Sequence, residues 1–399
     1  MNPRRRVVLV SNSAWSIANF RGGLIRALLA AKYDVVAVAP ADGHVPKIEA
    51  LGIRFVPLAM DNKGTNPIRD FGLFLRILWL LLRKRPAMYL GYTIKPNVYG
   101  GLATRLLGIA AINNVTGLGT AFIRDTWLTR VVEGLYRVGL ARSKKVFFQN
   151  DEDRVLFLAR RLVCPEVTER LPGSGVDTEW FAPEMYPIHP NSLHQGRNGI
   201  LNPLFCGNDG GEGVRPFRFL LSARLLWDKG VGEFVEAARQ LLQEGVSAEF
   251  QLLGFLDVES RTAVSRGEVE AWEREGVVRY LGSVVDVRPV ITRADCVVLP
   301  SYYREGVPRS LLEAASMAKP IITTDAVGCR DVVGDCVNGY LCRPRDAKDL
   351  ARQMRRMMAL STEERKKMGF AGRKKMVLEF DEKIVIRRYL ETIQENLGK

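Results

Sequence analysis

Short apolar, β-branched runs recur along the first 150 residues, and between them apolar positions return every three or four residues. Val7–Val10, Val35–Ala39, Arg54–Leu58, Met88–Tyr92, Ala111–Val115 and Val146–Gln149 read as strands. Leu24–Ala31, Val45–Leu51, Ile68–Arg83, Val98–Leu107 and Thr126–Ala141 read as helices. Strand, helix, strand at this spacing predicts a parallel, doubly wound sheet. The second half repeats the plan with Phe219–Ser222, Glu249–Leu253, Val277–Leu281, Cys296–Leu299 and Ile321–Thr324, again separated by helical stretches. The fold class expected is therefore α/β, with two Rossmann-like doubly wound halves.

Between the halves, residues 183–216 hold five Pro, six Gly and four Asn, the composition of a linker or mobile insertion. A chain of 399 residues also exceeds the size at which one core usually divides. The expected domains are thus 1–172 and 217–382, with a continuous helical tail at about 383–399.

Charge is unevenly shared. Residues 1–150 carry 22 Lys and Arg against 7 Asp and Glu, a net of +15, whereas residues 151–399 carry 36 against 37, a net of −1. Such a basic half can attract a membrane surface, a nucleic acid or a polyphosphate substrate. The six cysteines form no C-x-x-C pair, and His44, His189 and His194 are the only histidines, so a structural zinc site is not expected. Reduced cytoplasmic thiols are the simpler reading. Arg4-Arg5-Arg6 followed by Val7–Val10 imitates a signal peptide, but the apolar run stops at Ser11. The longest apolar run, Phe71–Leu82, contains Arg76 and is shorter than the ~20 residues of a membrane span.

The chemistry concentrates after Cys296–Leu299, in Pro300-SYYREGVPRSLLEAASMAKP-Ile321. Pro308 can occupy the first turn of a helix, where its missing N–H costs nothing. The backbone N–H groups of Val307, Arg309, Ser310 and Leu311 would then face the loop as an anion site. Glu305 at the mouth of the turn and Glu313 about a turn into the helix would serve the two sugars flanking a nucleotide diphosphate. Two glutamates eight apart also occur by chance; the whole string is more specific. Arg224 and Lys229, after Phe219–Ser222, can place two cations on one pyrophosphate, or be ordinary surface cations. Gly254 and Gly282, ending two strands, would border the base, although tight turns explain them equally well. Asp151-Glu152-Asp153 spells a metal-type Asp-x-Asp, but a helix cap at Asn150 with first-turn acids explains it, and no metal is expected. In the first half, Asn19, Phe20, Arg21, Gly22 and Gly23 precede a helix, and Thr93, Lys95, Asn114 and Thr116 follow two strands at the sheet edge where open α/β sheets bind ligands.

Glu305-x7-Glu313, the wording Tyr303-Arg304-Glu305-Gly306-Val307-Pro308-Arg309-Ser310 and the Arg224-x4-Lys229 pair resemble the family 4 retaining glycosyltransferases, in the branch that builds capsule, O-antigen and lipid-linked glycans. The resemblance extends over most of the chain, with a gap near 186–216. It implies the GT-B plan, with two Rossmann-like domains facing across a cleft. The first would bind acceptor, the second nucleotide-sugar, and the last helix would pack back on the first. It implies transfer of a hexose or N-acetylhexosamine from a UDP-sugar to an undecaprenyl-diphosphate-type glycan, with no cofactor, by a peripheral protein on the inner membrane face. Glu305 would hold the donor sugar, Glu313 the ribose, and Arg224 and Lys229 the diphosphate, whose departure they stabilise. Many members carry a histidine where this chain has Tyr92-Thr93-Ile94-Lys95, so no side-chain base is assigned. A UDP-sugar epimerase or hydrolase of the same fold stays open. A nucleic-acid-binding protein would need aromatic residues interleaved with Lys and Arg, or a reader motif, and neither appears.

Overall fold

The computed structural model describes residues 5–61, 66–118, 127–183, 215–256, 260–304 and 306–397. Two compact units emerge. Unit 1 comprises Met1–Gly175, Arg304–Val307 and Glu382–Lys399, and unit 2 comprises Val176–Tyr303 and Pro308–Asp381. Glu305 and most of the Pro-, Gly- and Asn-rich stretch (184–214) lie outside the described residues.

Unit 1 is built on seven strands: β1 Arg6–Val10, β2 Asp34–Ala39, β3 Arg54–Pro57, β4 Met88–Tyr92, β5 Ala110–Val115, β6 Lys145–Phe148 and β7 Thr168–Arg170. Their order is β3-β2-β1-β4-β5-β6-β7 and every pairing is parallel. Unit 2 carries β8 Phe217–Ser222, β9 Ala248–Leu253, β10 Arg279–Tyr280, β11 Cys296–Leu299, β12 Ile321–Thr324 and β13 Gly339–Cys342. These run in the order β10-β9-β8-β11-β12-β13, again all parallel. The doubly wound α/β reading therefore holds in both halves. Winding reverses beside β1 and beside β8, so the junctions β1/β4 and β8/β11 are the switch points at which such sheets bind ligands.

Alternation along the strands fills a core on each face. In β1, Val7 and Leu9 pack with Leu24, Ile25 and Leu28, while Val8 and Val10 pack with Leu73, Phe74 and Ile77. The Glu382–Leu397 helix contributes Val385, Tyr389 and Ile393 to the first of these clusters. Two strands beyond the expected set are present, β7 and β13. The edge strand β7 is Thr-Glu-Arg with one buried residue, so it carries no apolar run. The Val277–Leu281 run contracts to a two-residue ladder, Arg279–Tyr280, beside β9.

The Pro67–Lys84 helix shows how its ends are written in sequence. The Asn66 side chain accepts from the amides of Ile68 and Arg69, Pro67 opens the first turn, and Arg85 takes a left-handed φ of 44° at the end. Leu73, Phe74, Ile77, Leu80 and Leu81 face the core, whereas Ile68, Phe71, Leu75, Trp79 and Leu82 are exposed. Among the described residues no helix is long and apolar enough to cross a membrane.

Candidate active site

In unit 2 the chain leaves β8 past the exposed Arg224, makes one tight turn over Trp227–Lys229, and enters the Val231–Gln243 helix through Gly230. Gly230 has φ 77°, and a side chain there would strike the Pro300 carbonyl at the end of β11. That close approach draws the two post-strand loops together. The amides of Tyr302 and Tyr303 donate to the Asp228 carbonyl at 3.1 and 3.2 Å, and the Ser301 hydroxyl donates to the same oxygen at 3.2 Å. Lys229 is only 9% exposed, and its ammonium stands 5.6 Å from the centre of the Tyr303 ring. The spacing Arg224-x4-Lys229 thus becomes one outward cation and one held against the loop that leads into residues 304–307.

Pro308 is the residue before the Arg309–Ser316 helix rather than within its first turn, with ψ 119°, because its carbonyl already accepts from Leu311 at 3.2 Å and Leu312 at 3.4 Å. The Leu311 amide therefore belongs to the helix ladder, which corrects its expected place in the anion site. Arg309 Nε donates to Glu313 Oε1 at 3.1 Å. Burial pushes the Glu313 carboxyl above its ordinary range, and the Arg309 guanidinium only partly opposes it. Gly254 and Gly282 are joined by a 2.8 Å bond from the amide of the first to the carbonyl of the second. Gly254 also abuts the Ala223 carbonyl so closely that a Cβ could not fit, so it fixes the loop carrying Arg224.

Arg304–Val307 group with unit 1. Arg304 Nε donates to Asp153 Oδ1 at 2.7 Å, and Asp153 is fully buried. Asn150 caps the Asp151–Ala159 helix by accepting from the Asp153 amide at 2.7 Å. Asp151 pairs with Arg170 at 3.1 Å, so each end of the Asp-x-Asp has a cationic partner. Gly306 lies against Gln149 and the Thr116 carbonyl, with no room for a side chain.

The remaining first-half candidates separate into two groups. Arg21 is 3% exposed and its guanidinium carbon lies 4.1 Å over the Tyr92 ring. Asn114 Nδ2 donates to Tyr389 Oη at 2.9 Å, and the rings of Tyr389 and Tyr92 stand 6.1 Å apart. Thr93, next in sequence, has a φ of 69° that β-branched residues rarely accept. Asn97, at the end of the 93–97 loop, and Asn113, which sequence reasoning missed, converge over Gly91. By contrast, Asn19 is exposed and donates to the Trp15 carbonyl, and Phe20 packs edge-on against Trp15. Lys95 is tied to Asp70 at 2.5 Å, and Tyr99 donates to the same carboxylate. The helix expected at Leu24 begins two residues earlier, at Gly22, and takes in both glycines; a side chain at Gly23 would meet the Glu382 carboxylate. Gly23 is small here for the C-terminal helix; Gly22 meets only the flexible end of Arg26.

Two family models match the chain. Residues 6–150 match glycosyl transferase 4-like proteins, and residues 209–375 match glycosyl transferases group 1. An N,N'-diacetylbacillosaminyl-diphospho-undecaprenol alpha-1,3-N-acetylgalactosaminyltransferase from Campylobacter jejuni is 28% identical, over 97% of both chains. A UDP-Gal:alpha-D-GlcNAc-diphosphoundecaprenol alpha-1,3-galactosyltransferase from Escherichia coli is 22% identical, over 73% of this chain and 71% of its own. In fold, a glycosyltransferase from Rickettsia africae superposes with a TM-score of 0.78 at 17% identity, covering 99% of each chain. HepE of Anabaena, solved with UDP, gives 0.74 at 17% identity, covering 98% of this chain and 100% of its own. The chain is a glycosyltransferase of the GT-B fold, with a glycosyl transferase 4-like domain in its first part and a glycosyl transferases group 1 domain in its second.

Proposed function

We propose that this glycosyltransferase moves a hexose or N-acetylhexosamine, with retention, from a UDP-sugar to a hydroxyl of a glycan carried on undecaprenyl diphosphate. The observation that carries the reading is Lys229, a nearly buried ammonium at the β8/β11 switch point, held beside the ring of Tyr303 on the loop that follows β11. A diphosphate is the ligand that such a cation and helix N-terminus suit. The acceptor class is drawn from the Campylobacter jejuni relative, whose similarity runs along nearly the whole chain.

In this reading Arg224 and Lys229 hold the diphosphate, and Glu305 engages hydroxyls of the departing sugar. Glu313, held by Arg309, meets the ribose, and Gly254 and Gly282 border the base. The anomeric C–O bond breaks with its electron pair passing to the diphosphate. The acceptor oxygen bonds to the same face of the sugar, and its proton goes to the departing phosphate oxygen. Neither metal nor cofactor takes part. Unit 1 rests on the inner face of an anionic membrane through the Pro67–Lys84 helix, whose exposed Ile68, Phe71, Leu75, Trp79 and Leu82 stand beside Arg69, Arg76, Arg83, Lys84 and Arg85.

The test is a panel of UDP- and GDP-sugars, followed first by slow acceptor-free hydrolysis and then by transfer to diphosphate-lipid-linked sugars, with the product anomer read by NMR. Conversion of free UDP-sugar into an epimer, with no transfer, would replace the reading with an epimerase.

A further inference from the structure

The Thr362–Lys375 helix of unit 2 carries six Lys and Arg residues, which the net of −1 over residues 151–399 conceals. Three of the six are engaged within the unit. Arg373 donates to the carbonyls of Ser316, Phe181 and Thr178 at 2.7, 3.2 and 3.4 Å. Arg365 donates to the Leu360 carbonyl and the Thr362 hydroxyl. Lys375 stands 3.9 Å from Glu379 and 5.9 Å from the centre of the Phe380 ring. The other three, Lys366, Lys367 and Lys374, are exposed and form no ion pair among the described residues.

The uncharged residues divide the same way. Met368, Gly369 and Gly372 are buried, as are Met376 and Phe380 in the wider helical turn Met376–Phe380 that continues the helix. A Cβ at Gly369 could not fit beside the Ala318 carbonyl, and Gly372 faces Asn338, so the inner side is closely seated. On the outer side Phe370, Val377 and Leu378 are 55, 45 and 64% exposed. At ~3.6 residues per turn, these three and the three free lysines fall within about a third of the circumference. The apolar side chains gain no burial there, and the ammonium groups among them repel one another. Such a stripe complements a surface that is negatively charged outside and apolar beneath.

We propose that this stripe docks unit 2 on an anionic lipid bilayer. Phe370, Val377 and Leu378 enter the boundary between headgroups and acyl chains, and Lys366, Lys367 and Lys374 meet lipid phosphates. A second copy of the chain fits less well, since a two-fold contact would set lysine against lysine. The inference rests on the membrane reading above, which gave docking to unit 1 alone, and adds a contact carried by the other unit.

The test is co-sedimentation of the full chain with vesicles of phosphatidylglycerol and phosphatidylethanolamine, and with phosphatidylcholine alone. One variant combines Phe370→Ser, Val377→Ser and Leu378→Ser; another combines Lys366→Gln, Lys367→Gln and Lys374→Gln. Each should lower partition onto the anionic vesicles by about tenfold or more at unchanged melting temperature, and the lysine variant should match wild type on phosphatidylcholine. Wild-type partition of both variants overturns the proposal, and so does a lysine variant equally impaired on phosphatidylcholine. A wild-type dimer by light scattering that the Phe370 set breaks, with vesicle binding unchanged, would make the stripe a contact between copies. Loss of binding on changing Phe71, Leu75 and Trp79 but not on changing this stripe leaves docking to unit 1; the converse leaves it to unit 2. Wild-type protein that stays in solution beside anionic vesicles removes both.

Discussion

Lys229 and Glu313 show two ways of keeping a charge in unit 2. Lys229 is nearly buried beside an aromatic face, so its loss removes positive field from the loop rather than from open water. Lys229→Ala should lower kcat/KM and UDP affinity together, by about 1.5–3 kcal/mol; calorimetry that finds UDP binding unaltered would remove Lys229 from the diphosphate. Glu313→Ala should weaken UDP binding by a similar ~1.5–3 kcal/mol, while Glu305→Ala should act mainly on turnover. Glu313 also makes a pH prediction. Its carboxyl titrates above the usual value, so the folded state prefers it protonated. Whatever stability that preference gives is complete below the unfolded value and is lost as pH rises through the folded one. Glu313→Gln should therefore gain stability over wild type at neutral pH and match it near pH 4, as read by urea denaturation at both. The placement of Arg224 and Lys229 after β8, and of Glu313 in the helix after β11, was legible because motif spacing follows the chain. Tyr303, Asn113 and Tyr389 were not, since their roles depend on which loops the sheet order makes neighbours, and Tyr389 reaches Asn114 across 275 positions.

The Pro67–Lys84 helix is the element in which sequence and structure meet best. Its excess of apolar residues over Phe71–Leu82 was visible in the chain, whereas its start was expected at Ile68, without the Asn66 cap or Pro67. Packing then resolved the excess into a core-facing set and the exposed Ile68, Phe71, Leu75, Trp79 and Leu82. Changing Phe71, Leu75 and Trp79 to Ser should abolish co-sedimentation with anionic vesicles and leave the melting temperature near wild type, because those side chains lie outside the core. Equal sedimentation of both proteins, or of neither, would reduce the stripe to an ordinary surface. Removing the cap with Asn66→Ala should cost about 1 kcal/mol of stability. Strand β7 had no comparable signature: Thr-Glu-Arg at a sheet edge pairs through its backbone, and composition says nothing about it.

At the scale of the whole molecule, transfer should survive exhaustive EDTA treatment if Arg224 and Lys229 hold the diphosphate as proposed, the acids of the Asp-x-Asp being engaged with Arg170 and Arg304. Complete loss restored by Mn²⁺ would return Asp151 and Asp153 as ligands. The paired Rossmann plan was readable because each strand–helix repeat is local; membership of the units was not, because unit 1 draws on three separate stretches of chain. Ending the chain at Asp381 should leave unit 1 molten, since Val385, Tyr389 and Ile393 each bury about 1.5–3 kcal/mol of apolar surface; near-UV circular dichroism checks it. That dependence sets a schedule for synthesis. As the chain leaves the ribosome, residues 5–175 form a sheet whose core stays open on one side while all of unit 2 is translated and folds. Only when Glu382–Leu397 emerges can Tyr389 reach Asn114 and Arg388 reach Glu169. Until then unit 1, made before unit 2, exposes apolar surface, and a chaperone holding that face would be needed longest by the earlier half.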